Sequence, residues 1–375
     1  MAGKRLDYID WLRVTVIAWI ITNHAAVPFI GRWYVSNRDK SPMLSAEVLF
    51  GYQWHLPLLF LLAGMSTYHA LARRSPRQYL KERAVRMLVP LAFGTIVLVP
   101  PIVYAQKLSA PAYRDSYQHF FRHFFDAPYP RGDLHWGHLW FLAYLLAFSL
   151  ITLPLFLYLR GENGQRLIAQ LAALANRRGG LLVFALPVAL VEAGLRPGWI
   201  GFPQNLVDDW ANVLSFLLYM VYGYLYAADE RFATALDRRI TAHAVLGVAA
   251  SMVTFALFAG LHWPPFGYSA RSILLNFLRG WNIWFWVALA LALGRRYLNF
   301  SNRLLDYARE ASYPLYVLHL TVVVGAAFYV TRWEAGVAVK FACIAISSWA
   351  VLLVLYEVAV KPWSPLRFLF GMRSR

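Results

Sequence analysis

A histidine, two kinds of arginine and an asparagine lie where an apolar chain would not place them without cause. The opening reads Leu6-Asp7-Tyr8-Ile9-Asp10-Trp11-Leu12-Arg13, then ten residues, then His24. Eleven helical steps are three turns plus about 20°, so Arg13 and His24 share one face about 16 Å apart. Ionisable side chains in an apolar run cost at least a few kcal/mol, which makes them candidates for function. Histidine can take a proton from a hydroxyl near neutral pH, or be acylated itself. The plain alternatives are a snorkelling Arg13 paired with Asp10 at i,i+3, and a core histidine bonded to a neighbouring helix. The shared face and the polar neighbour Asn23 favour function.

A second set follows in Lys81-Glu82-Arg83-Ala84-Val85-Arg86, ahead of Pro90. Arg83 and Arg86 stand at i,i+3, so both guanidinium groups leave a helix on one face. Guanidinium forks suit phosphate oxygens, and a helix start would add its dipole and free N–H groups. Ordinary charged anchoring is the alternative, with Arg73, Arg74 and Arg77 close by. Together the two sets fit the shape of acyl-coenzyme A. Phosphates held by Arg83, Arg86 and Arg13 would leave the pantetheine arm to run up the first helix. A reach of about 16 Å brings the thioester near His24.

Weaker candidates lie further along. Ser312, Tyr316 and His319 form one stripe at i, i+4 and i+7, and His319 could line an acyl tunnel. His138 and Trp140 open the fourth apolar run, where they could border an acceptor entrance; an interfacial tryptophan is the alternative. Glu357 is expected to neutralise one of the arginines. The pairs His135/His138 and His119/His123 have spacings a metal could use, but neither has a third ligand nearby, so no metal is expected. Cys343 is the sole cysteine, which rules out an intramolecular disulfide.

Composition says what must position these groups. Of 375 residues, 59% are hydrophobic and 15% charged. A soluble domain would be about 45–50% apolar and about 25% charged. The excess apolar surface calls for lipid as solvent. Ten stretches are long enough to span it, near 9–30, 53–72, 84–106, 136–159, 180–197, 209–228, 242–262, 272–293, 311–331 and 336–360. Backbone hydrogen bonding in lipid forces helices, so the expected fold class is all-α, a polytopic membrane protein. One transmembrane domain is expected over 1–375, with an outer aromatic loop at 107–135 suited to an interfacial helix and a cytosolic tail at 361–375.

Net charge is +17, yet its distribution excludes a nucleic-acid binder. With the N-terminus inside, and with Arg86 and Arg196 at span ends counted with the adjoining loops, cytosolic segments hold 23 Lys/Arg and outer ones 10, leaving Arg13, Arg279 and Lys340 within spans. That asymmetry is the positive-inside rule, and it predicts both termini in the cytosol of an inner-membrane protein. The first span is too long for a signal-peptide core and carries Asp10 and Arg13, so it is read as a retained helix.

At this point a resemblance becomes plain. The chain resembles the acyltransferase-3 family of membrane O-acyltransferases, in the branch containing periplasmic-glucan succinyltransferases. The carrying residues are Asp10-x-x-Arg13 with His24, Arg83-x-x-Arg86 before Pro90, and His138-Leu139-Trp140-Phe141. To these add Asn299 after Arg295-Arg296-Tyr297, Ala311-Ser312-Tyr313-Pro314-Leu315-Tyr316-Val317-Leu318-His319, and Tyr356-Glu357 with the tail Phe370-Gly371-Met372. Each is weak alone; the set, in matching order over the whole chain, is specific. The resemblance implies that His24 is the essential histidine, Arg13 its paired arginine, and Arg83 and Arg86 the acyl-coenzyme A arginines. One departure stands at Ala63, where many relatives carry serine before the glycine matched by Gly64; close packing at Gly64 is still expected.

The expected activity is transfer of a short acyl group, acetyl or succinyl in type, from cytosolic acyl-coenzyme A to a hydroxyl of an outward-facing envelope glycan. Two rivals stay open on sequence: a transporter or flippase for a glycan or lipid, whose paired broken helices are not seen here, and an assembly partner with a vestigial histidine.

Overall fold

A computed structural model describes residues 6–31, 33–198, 204–261 and 267–372. The last residues of the expected tail (373–375), part of the loop at 196–208 and the end of the span at 242–262 lie outside them. In chain order the helices are α1 (Asp7–Ala26), α2 (Pro42–Leu71), α3 (Pro76–Phe93), α4 (Val99–Leu108), α5 (Tyr117–His123), α6 (Trp140–Ile151), α7 (Leu153–Arg160) and α8 (Glu162–Asn176). There follow α9 (Gly180–Leu195), α10 (Trp210–Ala228), α11 (Glu230–Asp237), α12 (Ile240–Leu261), α13 (Ala270–Tyr297), α14 (Arg303–Val330), α15 (Val337–Leu355) and α16 (Ser364–Leu369). Among the described residues the sole extended pairing is one bridge between Pro128 and Leu134. The fold is all-α.

Among the described residues, nine helical stretches are long and apolar enough to cross a membrane, and α6 with α7, bent by 45° at its break, makes a tenth if the pair counts as one span. The break has a local cause. Pro154 has no N–H to continue the ladder, and the Thr152 hydroxyl donates to the Phe148 carbonyl at 2.6 Å. A second irregularity, the π turn Gly94–Leu98, joins α3 to α4 just ahead of Pro100 and Pro101. There the Leu98 carbonyl accepts from the Thr321 hydroxyl at 2.9 Å, so the disturbed backbone is satisfied from another helix. Large apolar side chains stay exposed along α12 (Val245, Val248, Met252) and α15 (Ile346, Val351, Val354), as lipid-facing helices require. Between α7 and α9, outside the ten apolar stretches, the amphipathic α8 forms, burying Ile168, Ala172 and Ala175 at i, i+4 and i+7.

The helices form two compact units. One comprises 1–13, 52–81 and 147–301. Its tightest approach joins α2 to α10. A Cβ on Gly64 would fall on the Met220 carbonyl, and one on Gly223 on the Leu61 carbonyl. This is reciprocal small-residue packing, and it bears out the expectation for Gly64. Gly280 on α13 meets the Ala189 backbone of α9 in the same way. Buried between α9, α10 and α13, Glu192 accepts from Arg196 at 2.8 and 2.7 Å and from Ser215 at 2.8 Å, with Arg279 at 3.6 Å. Gly64→Ala should therefore lower the thermal midpoint in detergent, because α2 and α10 must part to admit the methyl, a cost of about 1–3 kcal/mol. An unchanged melt would show that this contact is slack.

The other unit comprises 14–51, 82–146 and 302–375. Its centre is α14, packed against α4 and α15. The Lys340 ammonium of α15 donates to Asn37 Oδ1 at 3.0 Å and to the Thr331 carbonyl at 3.1 Å, which ties the loop after α1 to the turn before α15. Arg367 of α16 is buried against Glu310 at 2.9 Å.

Candidate active site

His24 stands in the last turn of α1, before the 3-10 turn Val27–Phe29 with its Pro28. Its Nδ1 lies 2.7 Å from the Ile20 carbonyl. A carbonyl only accepts, so in the neutral ring Nδ1 carries the hydrogen and Nε2 keeps its lone pair. The helix thus fixes both the ring and its tautomer, leaving Nε2 as the basic atom.

Two further imidazoles meet it. The His319 ring of α14 is 5.0 Å from that of His24, and the His138 ring is 4.8 Å from that of His319. Each is held the same way. His319 donates from Nδ1 to the Tyr316 carbonyl at 2.5 Å, and His138 from Nε2 to the Val317 carbonyl at 2.9 Å. Their other nitrogens, His319 Nε2 and His138 Nδ1, are buried without a hydrogen-bond partner. The Tyr316 hydroxyl donates to the His138 carbonyl at 2.6 Å and locks the short turn Gly137–Leu139 onto α14. Three backbone carbonyls therefore hold three rings, each with one basic nitrogen left over. Two imidazolium charges at such separations would repel by about 3 kcal/mol at an effective dielectric near 20, so the cluster takes one extra proton at a time. Such a group can accept a proton from a hydroxyl and share it. Among the described residues, no three His, Cys, Asp or Glu side chains are grouped to hold a metal ion.

The second arginine set lies on α3, with Arg83 half-buried and Arg86 exposed. The Tyr313 hydroxyl donates to the Arg86 carbonyl at 2.6 Å, and the Arg86 guanidinium carbon is 5.9 Å from the centre of the Tyr313 ring. Gly371, at φ +66°, lies so close that a Cβ there would meet Tyr313, the Arg86 carbonyl and Pro90. The tail thus braces the stretch of α3 that carries both arginines. Two guanidiniums on neighbouring turns are a donor set for phosphate oxygens. The helix start is not beside them, however: α3 begins at Pro76, seven residues before Arg83, with Ser75 and Gln78 capping each other. The dipole expected to assist the arginines is spent there.

Arg13, in the other unit, donates to Asp10 at 2.9 Å and to the Ser66 hydroxyl at 3.1 Å. The pairing with Asp10 is the one its i,i+3 spacing anticipates. Trp140 does not border an opening; it is 6% exposed and packs edge-on against Tyr144 at 4.9 Å. His138 is likewise buried in the histidine cluster rather than displayed at a rim. Glu357, expected to neutralise an arginine, pairs instead with Lys361 at 2.8 Å, one turn away, and with no arginine among the described residues. Two neighbours of the α1 end escaped the sequence reading. Glu47 of α2 accepts from the Asn23 amide at 3.3 Å, and the Trp33 ring is 6.1 Å from that of His24. Neither carries a periodic or spacing signal, since both meet the helix end through a loop or a neighbouring helix.

Comparison with known proteins bears on the same residues. The family model of an acyltransferase domain matches residues 6–357. The chain is similar to glucans biosynthesis protein C of Salmonella heidelberg (strain SL476) and of Salmonella agona (strain SL483), 24% identical over 98% of this chain and 95% of theirs. The protein of that name from Salmonella enteritidis PT4 (strain P125109) matches at the same identity and coverage. No solved structure matches the chain. The family match spans α1 through the π turn after α15 and takes in His24, both arginine sets and His319, and it decides between enzyme and transporter. This multi-pass membrane protein belongs to the acyltransferase-3 family and is an acyltransferase.

Proposed function

We propose that the protein transfers a short acyl group, acetyl or succinyl in type, from acyl-coenzyme A to a hydroxyl of an outward-facing cell-envelope glycan, with His24 as general base. The observation that carries the reading is the His24 ring, pinned through Nδ1 by Ile20 and set against the buried His319 ring, which in turn meets His138. The acceptor hydroxyl gives its proton to Nε2 while its oxygen attacks the thioester carbonyl. The C–S bond then breaks, and the coenzyme thiolate leaves with the proton returned from the imidazolium. His319 and His138 share the charge in between.

Arg83 and Arg86 bind the coenzyme phosphates from the cytosolic side, and the family resemblance gives Arg13 as the arginine paired with His24 on the same helix. The names of the related glucans biosynthesis proteins support a glucan-like acceptor. The inner-membrane location with both termini cytosolic rests on the Lys/Arg asymmetry. Purified protein in nanodiscs, given acetyl- or succinyl-coenzyme A, should release free thiol faster when a gluco-oligosaccharide is added. Thiol release from neither donor, with or without acceptor, would sink the reading.

A further inference from the structure

The histidine cluster is one end of a longer run of rings. From His24 the next centroid is Trp33 at 6.1 Å, then Tyr34 at 5.6 Å, then His135 at 6.2 Å, nearly parallel at 22°, and then Tyr129 at 6.1 Å. Trp33, Tyr34 and His135 are half-buried, whereas Tyr129 is 69% exposed. The run therefore leads from the surface to the basic nitrogen.

We propose that Trp33, Tyr34, His135 and Tyr129 form the acceptor platform, on which the sugar rings of an uncharged glycan stack as one hydroxyl is delivered to His24. The proposal rests on the acyl-to-glycan reading above. A sugar ring presents C–H faces that pack on aromatic π faces and a rim of hydroxyls that needs directed hydrogen bonds. Both are on offer. His135 Nδ1 accepts the Gly137 N–H at 2.9 Å, so Nε2 of the neutral ring carries a hydrogen and is the donor left for a hydroxyl. Burial pushes the Tyr34 phenol up to about 12, with Tyr129 adding to the rise, and lowers His135 below its ordinary value against the pull of Asp133. Both rings are neutral near pH 7, which suits an uncharged polyol.

Aromatic residues also gather at membrane surfaces as anchors, but such rings need no fixed register. Here both supporting loops are built. The Asn37 N–H donates to the Pro28 carbonyl at 2.9 Å while Lys340 holds the Asn37 side chain, and the Trp33 N–H donates to Ser36 at 3.2 Å. On the other loop, the Tyr129 N–H donates to Leu134 at 3.0 Å, and the Leu134 N–H to Ala127 at 3.2 Å. A platform already in shape spends little binding energy on ordering.

The test measures equilibrium binding of short gluco-oligosaccharides to the full chain in nanodiscs, and steady-state kinetics with both substrates. Trp33→Leu and Tyr34→Leu should each weaken oligosaccharide binding about three- to tenfold and raise the acceptor KM in step, leaving the acyl-coenzyme A KM in place. Phe125→Leu is the control, an exposed aromatic of the same loop outside the run, and should leave oligosaccharide affinity unchanged. Thermal melts report whether a variant has lost its fold, and Tyr129→Leu, at the exposed end, tests the platform without a buried change. Unchanged oligosaccharide affinity in all three platform variants, or an equal loss in Phe125→Leu, would overturn the proposal. If the wild type turns over acyl-coenzyme A with another hydroxyl acceptor yet binds no oligosaccharide, the sugar platform fails and the transferase reading stands. If oligosaccharide binding follows the platform variants but no acyl-coenzyme A is consumed, the donor reading fails and the platform stands.

Discussion

His24→Ala lowers acyl transfer by about 10²–10⁴-fold, the span that a positioned general base supplies. The loss falls on kcat, because the proton moves only as the hydroxyl oxygen attacks. His319 and His138 do not replace it. Their remaining nitrogens are buried, whereas His24 is half-buried at the end of α1. Expression and thermal midpoint stay near the wild-type values, since His24 is half-buried and its ring bonds a carbonyl of its own helix. Thiol release with saturating acceptor is the readout. A variant that keeps more than about a tenth of the rate would remove His24 from the base role.

Arg83→Ala and Arg86→Ala raise the KM for acyl-coenzyme A, each by about tenfold or more, and leave the acceptor KM alone. A hydrogen bond to a charged partner contributes about 1.5–3 kcal/mol, and contacts made equally in ground and transition states appear in KM. In Arg86→Ala the Tyr313 hydroxyl keeps its acceptor, the Arg86 backbone carbonyl, and a thermal melt reports whether the fold is kept. Arg86→Lys should recover part of the affinity, as a point charge without the planar fork. Unchanged donor affinity in both alanine variants would return the two arginines to the role of membrane-surface anchors.

The spans were legible because lipid leaves the backbone few choices: a long apolar run must be a helix, and hydropathy finds it. What hydropathy could not show was direction within a run. The stretch 136–159 reads as one span, yet Pro154 and the Thr152 hydroxyl bend it by 45°. Nor does a hydropathy average see an amphipathic helix, and α8 was missed for that reason. The local pairing of Glu357 with Lys361 follows from i,i+4 spacing and outweighs a longer reach to an arginine. At the site, the Arg13–Asp10 pair was readable from spacing within one helix. The histidine cluster was not. His24, His138 and His319 lie on three separate segments, and only packing of α14 against its neighbours brings the His24 ring to 5.0 Å and the His138 ring to 4.8 Å from that of His319. The same holds for Trp33, whose loop returns over the end of α1 by bonds to Pro28 and Gly31 that no periodicity encodes.

In the proposed reaction, donor and acceptor approach from opposite faces, and acyl transfer joins them across the bilayer. His24 lies about 26 Å along a helix that begins at Asp7 on the proposed cytosolic side, at about 1.5 Å per residue. Sealed vesicles with the cytosolic face outward put this to one measurement: labelled acyl-coenzyme A is added outside, with a gluco-oligosaccharide sealed in the lumen or supplied outside. A single cysteine in the loop 107–135, in a Cys343→Ser background, reports the orientation. Transfer across the bilayer puts label on the lumenal oligosaccharide and none on the outer one. Label confined to oligosaccharide on the donor's side would contradict it.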